Sequence, residues 1–293
     1  MRIAELLQES ADVLADVGVE NSGIDAELLL GHCLGMSRTE LYLHAEDKLL
    51  RTSLTAFQQL LARRKKREPL AYILGIQEFW SLDFLVTPDV LIPRPETEQL
   101  LEKVIAMYTD SQVGEGTLVD LCCGSGAIAV VLAKELQRKV IAVDISFDAL
   151  RITQKNSEKH GVSHLVSPVQ SDLFTAFLPS PVLSCVVSNP PYVSSEEIAQ
   201  GLQPEVAQFE PHLALDGGRN GLELIERIRR QLLKRLISGG HIFMETGTEQ
   251  AEDLYRMFST KNTEKRSFSD ISIQKDYAGH DRIFHATMQT NFD

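Results

Sequence analysis

The chain has 293 residues, 43% of them hydrophobic and 24% charged, which is ordinary for a globular protein of one or two domains. Its net charge of −12 and pI near 5.2 argue against a protein whose main task is gripping nucleic acid. No apolar run is long enough for a bilayer-spanning helix, and the N-terminus lacks a signal-peptide layout, so a cytoplasmic protein without a membrane partner is expected. Cys33, Cys122, Cys123 and Cys185 show neither metal-ligand spacing nor a disulfide framework.

Residues 1–70 read as a helical domain. Ile3, Leu6, Leu7, Leu14 and Val17 share one helical face, and Asn21-Ser22-Gly23 makes a turn. Ile24, Leu28, Leu29 and Cys33 predict a second helix stopped by Gly35. Ser37-Arg38-Thr39-Glu40 has the pattern of a capping box opening a third, and Leu54, Phe57 and Leu61 mark a fourth. That helix ends in Arg63-Arg64-Lys65-Lys66-Arg67, which reads first as a solvated helix end suited to the macrodipole and second as a contact for an acidic partner or nucleic acid.

Residues 71–92 form a joint. Phe79–Val86 has the composition of a short hairpin, and Pro88, Pro93 and Pro95 stiffen the segment after it. Pro95-Glu96-Thr97-Glu98 then opens a helix, so Glu96 and Glu98 are accounted for as helix-start acids while a catalytic role stays open to them.

Residues 93–293 form the second domain. From Thr117 strands alternate with helices, the mark of a mostly parallel sheet covered on both faces. Strands are expected at Thr117–Leu121, Lys139–Val143, Leu165–Val169, Val182–Ser188, His241–Glu245, Phe268–Lys275 and Arg282–Ala286. Helices are expected at Ala127–Leu136, Phe147–His160 and Leu222–Leu236.

Two loops at strand ends carry chemistry. The first, Asp120-Leu121-Cys122-Cys123-Gly124-Ser125-Gly126, is a tight strand-to-helix turn that lets backbone approach a ligand. About twenty residues on, Asp144 ends the next strand, where an acid accepts hydrogen bonds from ribose hydroxyls. Ser171-Asp172-Leu173 comes after the third strand and offers an acid for an adenine edge and an apolar side chain for its face. These features fit an adenosine-containing cofactor, although the loop also matches the loose dinucleotide fingerprint. Asp120, placed to meet an ammonium group, favours S-adenosylmethionine over NAD.

The second loop is Asn189-Pro190-Pro191-Tyr192. Both prolines fix φ and Asn189 is pushed towards extended geometry, so the loop is stiff. The Asn189 side-chain oxygen and the Pro190 carbonyl suit the two N–H bonds of a planar amino group, and Tyr192 suits its flat face. An amide nitrogen gains positive charge as it attacks, and fixed acceptors stabilise that charge in the transition state.

The chain resembles the protein-(glutamine-N5) methyltransferases that modify peptide chain release factors, the PrmC/HemK family. The resemblance runs from Asp25-Ala26-Glu27-Leu28-Leu29-Leu30 and Glu68-Pro69-Leu70-Ala71-Tyr72 through Phe79-Trp80 and Ile92-Pro93-Arg94-Pro95-Glu96-Thr97-Glu98. It continues in Asn189-Pro190-Pro191-Tyr192, Phe209-Glu210-Pro211 and Asp216-Gly217-Gly218. It implies a seven-stranded, Rossmann-like α/β methyltransferase fold behind a small α-helical domain that helps position the substrate. It also implies S-adenosylmethionine as cofactor, lined by Cys122 to Gly126, Asp144 and Leu173, with Asn189 touching both cofactor and substrate. The implied substrate is the glutamine of a Gly-Gly-Gln loop, held by Asn189, Pro190, Pro191 and Tyr192. A monomer acting on release factors, with no DNA partner and no bound metal, is expected. Three positions depart from the family pattern: Cys122-Cys123 stands for Gly-Thr and suggests oxidation sensitivity, Asn220 stands for Asp, and Thr246 stands for Ile. The same Asn-Pro-Pro-Tyr loop also serves methylation of adenine in DNA, of another protein glutamine or of a small amine; an inactive binding protein is the remaining alternative.

Overall fold

The computed structural model describes residues 1–109, 116–260 and 266–290. They form two compact units, one of Met1–Ile76 with Gln203–Phe209, the other of Gln77–Leu202 with Glu210–Asp293. Among the described residues no helix is long and apolar enough to cross a membrane.

The first unit is helical: α1 (Ile3–Ala15), α2 (Ser22–Leu34), α3 (Arg38–Leu43), α4 (Arg51–Lys65) and α5 (Leu70–Leu74). Ile3, Leu6, Leu29 and Phe57 of the faces read from the sequence meet Leu30, Leu41 and Ile73 in one core, Leu14 joins Val19 and Ala26 in another, and Ile24 is exposed. Gly35 takes the left-handed conformation that ends α2. Ser37 and Glu40 close the expected capping box, with the Glu40 N–H donating to Ser37 Oγ at 3.3 Å and the Ser37 N–H to Glu40 Oε2 at 2.7 Å.

Three arginines of the basic run depart from the solvated reading of it. Lys65 and Lys66 are exposed, but Arg64 is buried and donates through Nε to Asp25 Oδ2 at 2.7 Å. Its Nη1 reaches Glu205 Oε1 at 2.9 Å, and Arg67 makes a two-point contact with the same carboxylate, both bonds at 2.6 Å. Arg63 pairs with Glu68 at 2.5 Å. Glu205 lies on the short helix α10 (Pro204–Phe209), which is distant in sequence but belongs to this unit. The arginines therefore fasten a remote segment into the helical unit.

The second unit begins with the expected hairpin, β1 (Ile76–Phe79) and β2 (Leu82–Leu85). Trp80 and Ser81 both have φ of 55°, the turn whose twist matches the paired strands. The hairpin is not a free joint. Phe79 and Phe84 are buried in the same cluster as α6 (Pro95–Thr109) and α7 (Ala127–Leu136). Glu98 accepts the Trp80 N–H at 2.6 Å, so one of the two helix-start acids anchors the hairpin.

The sheet contains β3 (Thr117–Leu121), β4 (Val140–Asp144), β5 (Val166–Gln170), β6 (Leu183–Ser188), β7 (Leu236–Glu245), β8 (Arg266–Lys275) and β9 (Asp281–Thr290). Its order is β5-β4-β3-β6-β7-β9-β8, parallel from β5 to β7 and antiparallel for β9 against both neighbours. Side chains alternate between two cores, as the two-residue period of a strand requires. Leu118, Cys185 and Val187 face α6, α7 and α8 (Phe147–Lys159). Val119, Leu121 and Val186 face α11 (Glu223–Leu232) and α12 (Ala251–Ser259). The short helix α9 (Ser195–Gln200) comes just after the Asn-Pro-Pro-Tyr loop.

The helix expected over Leu222–Leu236 stops at Leu232, and Leu236 already pairs with Leu183 in the sheet. The register then shifts before Cys185 meets His241, around a Gly239 with φ of 75°. Chain order reverses at β3, which has β4 on one side and β6 on the other. Open α/β sheets bind ligands at the carboxyl ends of the strands beside such a reversal.

Candidate active site

A cavity of about 480 Å³ opens at that reversal. Its walls include Cys122, Gly124 and Ser125 after β3, Asp144 at the end of β4, Asp172 and Leu173 after β5, and Asn189 after β6. Four sequence-distant loops thus converge because four parallel strands end on the same edge.

Asp144 is fixed by backbone: Oδ2 accepts the Gly124 N–H and Oδ1 the Ser146 N–H, both at 2.9 Å. Burial pushes its carboxyl above the usual range, against the pull of those N–H groups. A Cβ built on Gly124 would meet nothing within 4 Å, so the space above this backbone is open to a ligand. Leu173 is 4% exposed, and Asp172 accepts from Arg227 Nη2 at 2.6 Å. Asn156 was not singled out from the sequence. It is fully buried, donating to the carbonyls of Ser125 and Leu85 and accepting from the Leu85 N–H, so it ties the glycine turn to the hairpin. This donor set, the open backbone at Gly124 and the apolar wall fit an adenosine-type cofactor.

Asp120 does not line the cavity. It is fully buried, and its Oδ2 accepts the Ala129 N–H at 2.9 Å in the first turn of α7. Burial pushes its carboxyl up to about 8, with the Ala129 N–H opposing and the Asp144 charge adding. Oδ2 thus serves the helix start, Oδ1 has no partner among the described residues, and the side chain does not form part of the cavity wall.

Cys123 is buried, whereas Cys122 is half-buried at the cavity wall. Burial, with the nearby Asp144 and Asp120 carboxyls adding, pushes both thiols above their ordinary range. Cys122 has φ of 61°, the left-handed region in which a side chain costs about 1–2 kcal/mol. Cys122→Gly is expected to raise stability by roughly 0.5–1 kcal/mol, the relief less the added freedom of the unfolded chain. Urea unfolding of the pair of proteins checks this, and an unchanged or lower midpoint contradicts it.

At the second loop, Asn189 and Pro191 line the cavity, while Pro190 and Tyr192 are not part of its wall. Thr97 lines it too, although the sequence pointed to its neighbours Glu96 and Glu98. Asn189 Nδ2 donates to Thr97 Oγ1 at 3.2 Å, which leaves Asn189 Oδ1 as the acceptor not committed to Thr97. Arg94 donates to both oxygens of the buried Glu210, at 2.6 and 2.8 Å, so the Ile-Pro-Arg-Pro and Phe-Glu-Pro motifs are joined by one ion pair.

The Asp-Gly-Gly motif backs this loop. The Val193 N–H donates to the Leu215 carbonyl at 3.0 Å, the Gly217 N–H donates to the Val193 carbonyl at 2.9 Å, and Gln250 Nε2 donates to the Tyr192 carbonyl at 2.9 Å. A Cβ on Gly221, whose φ is 69°, would lie 2.1 Å from the Tyr192 carbonyl oxygen. Gly221→Ala must therefore displace the loop that carries Asn189. It is expected to cost about 2 kcal/mol in stability and to lower turnover about tenfold, since small misplacements of reacting groups are expensive. Thermal unfolding and single-turnover rates measure both, and a wild-type rate refutes the coupling.

The fold is that of solved methyltransferases. A solved methyltransferase from Pyrococcus furiosus superposes with a TM-score of 0.50 at 15% identity, covering 80% of this chain and 98% of that one. The catalytic domain of hMettl16 gives 0.54 at 16% identity, covering 80% of this chain and 82% of that one. The PrmC N-terminal domain family matches residues 5–75, and the methyltransferase small domain family matches residues 97–219. The release factor glutamine methyltransferase of Geobacter sulfurreducens is 39% identical over 282 residues, 96% of this chain and 95% of that protein. That of Moorella thermoacetica is 38% identical over 290 residues, 98% of each chain. The chain belongs to the family of release factor glutamine methyltransferases.

Proposed function

We propose that the protein methylates the side-chain amide nitrogen of the glutamine in the Gly-Gly-Gln motif of peptide chain release factors. The observation that carries this reading is Asn189 at the cavity wall, with Nδ2 engaged by Thr97 and Oδ1 not. An acceptor held there meets one N–H of an incoming carboxamide. The Pro190 carbonyl, to which no donor among the described residues is bonded, is the second acceptor in this reading. S-adenosylmethionine supplies an electrophilic methyl group when bound in the cavity. Asp144 would take its ribose hydroxyls, and Asp172 and Leu173 the edge and face of its adenine. Asn189 and Pro190 raise the nucleophilicity of the amide nitrogen by stabilising the positive charge that grows on it. Pro191 completes the cavity wall, Tyr192, set behind that wall, is the aromatic face offered to the glutamine, and the helical first unit positions the intact release factor.

The test is transfer of labelled methyl from S-adenosylmethionine to purified, unmodified release factor. A Gly-Gly-Gln→Gly-Gly-Ala factor, a short Gly-Gly-Gln peptide and duplex DNA run alongside. Label confined to the glutamine supports the reading. Label on DNA, or on the glutamine-free factor, overturns it. A peptide modified as efficiently as the intact factor removes the role given to the helical unit.

A further inference from the structure

Glu245, the last residue of β7, is 1% exposed and is not part of the cavity wall. Two hydroxyls nevertheless converge on it. Thr97 Oγ1 lies 2.5 Å from Oε2, and the Tyr192 hydroxyl lies 2.9 Å from Oε1. Thr97 Oγ1 is also the group that Asn189 Nδ2 approaches, at 3.2 Å. These contacts form one chain from a buried acid to the residue that faces the substrate.

The polarity of that chain follows from counting protons when Glu245 is ionised. A carboxylate only accepts, and a hydroxyl has one proton to give. With its proton committed to Glu245, Thr97 has only lone pairs left for Asn189. Asn189 must then present its NH2 group to Thr97, which turns Oδ1 away from it. If position 245 donated instead, Thr97 would accept from it and give its proton to Asn189 Oδ1. The NH2 group would then face the incoming amide, setting N–H against N–H.

We propose that Glu245 is the positioning residue of methyl transfer: its carboxylate sets, through Thr97, which end of the Asn189 amide meets the substrate. The Tyr192 hydroxyl is the second arm of the same anchor and holds the far side of the Asn-Pro-Pro-Tyr loop. The proposal rests on the methyl-transfer reading but explains something that reading leaves open, namely what orients a freely rotating side-chain amide.

The surroundings give the device a pH dependence. Burial pushes the Glu245 carboxyl above the usual range, while the Thr97 and Tyr192 hydroxyls and Arg282 on β9 pull it down and Glu96 on α6 adds to the rise. The ionised form is lost as pH falls through that raised value. Turnover should therefore fail on the acid side earlier than an ordinary carboxylate would dictate.

The test uses the full chain with Glu245→Gln, Thr97→Val and Thr97→Ser. Thr97→Val is expected to lower kcat about 10–100-fold, to leave the S-adenosylmethionine Kd from calorimetry within about threefold, and to be rescued largely by Thr97→Ser, which restores the hydroxyl. Glu245→Gln is expected to lower kcat and to abolish the acid limb of the wild-type kcat–pH profile. Exchange of the Asn189 side-chain NH2 protons, monitored by NMR without substrate, should be slow in wild type and fast in Thr97→Val. A Thr97→Val kcat equal to wild type, no rescue by serine, superimposable pH profiles for wild type and Glu245→Gln, or unchanged NH2 exchange would each overturn the proposal. If wild type methylates no release factor, the functional reading fails, and NH2 exchange still decides whether the relay exists.

Discussion

Asn189→Ala is expected to lower kcat for methylation of an intact release factor by about 10²–10³-fold, the effect of deleting one preorganised polar group from a transition-state site. The loss should fall on kcat more than on KM, because the acceptor matters most once positive charge has grown on nitrogen. The Kd of S-adenosylmethionine should stay within a few-fold, since Asp144, Leu173 and the turn at Gly124 supply the rest of the cavity wall. The fold should tolerate the change, because Asn189 sits in a loop beyond β6 and, among the described residues, its side chain bonds only Thr97. Calorimetry and rapid-quench kinetics separate these quantities. A variant with near-normal kcat would remove Asn189 from the chemistry.

The largest stability effect is expected from Arg64→Met. This residue is 7% exposed and lies between Asp25, itself 7% exposed, and Glu205. Methionine fills similar space but leaves the Asp25 carboxylate in a buried place without its cation. Removing one partner of such a pair costs about 3 kcal/mol or more. The partner of Glu205 survives, because Arg67 still grips it. Adding Asp25→Leu should recover most of the loss, since replacing both members of a buried pair by apolar groups is close to neutral. Lys65→Met in the same run is the control, being exposed, and should shift stability by less than about 0.5 kcal/mol. Urea denaturation of wild type, Arg64→Met, Asp25→Leu and their double variant measures the cycle, with Lys65→Met alongside. An Arg64→Met midpoint equal to that of Lys65→Met would show that the arginine is not a structural element.

The elements with strong period were legible in advance. β3 ends where Thr117–Leu121 predicted, and α7 spans the predicted Ala127–Leu136. Their apolar residues alternate or recur at helical spacing because each faces a core, and that spacing is written in the chain itself. α12 was not legible, since only Leu254 and Phe258 of its nine residues are buried and so short a stripe carries little signal. The end of α11 was misplaced because Leu233 and Leu236 continue the apolar pattern past it. What takes Leu236 out of the helix is pairing with Leu183 of β6, a contact between segments about fifty residues apart.

The site divides in the same way. The glycine turn, Asp144 and the Asn-Pro-Pro-Tyr loop could be found because their chemistry depends on local geometry: where a strand ends, where φ must be positive, where proline stiffens a loop. Asp120 was read from its neighbours as cavity-facing, yet the inward half of the β3 pleat and the start of α7 claim it. The basic run looked solvated because a run of like charge usually is, and the Glu205 that pairs with it lies about 140 residues away. Glu245 gave no signal at all, being one acid at the end of one strand. The sequence by itself determined the fold class, the tight glycine turn after β3 and the stiff proline loop after β6. Only the tertiary structure decided which charges are buried, which are paired and which side chain meets Asn189, because burial and hydrogen-bond partnership are properties of segments brought together, not of the order in which they are joined.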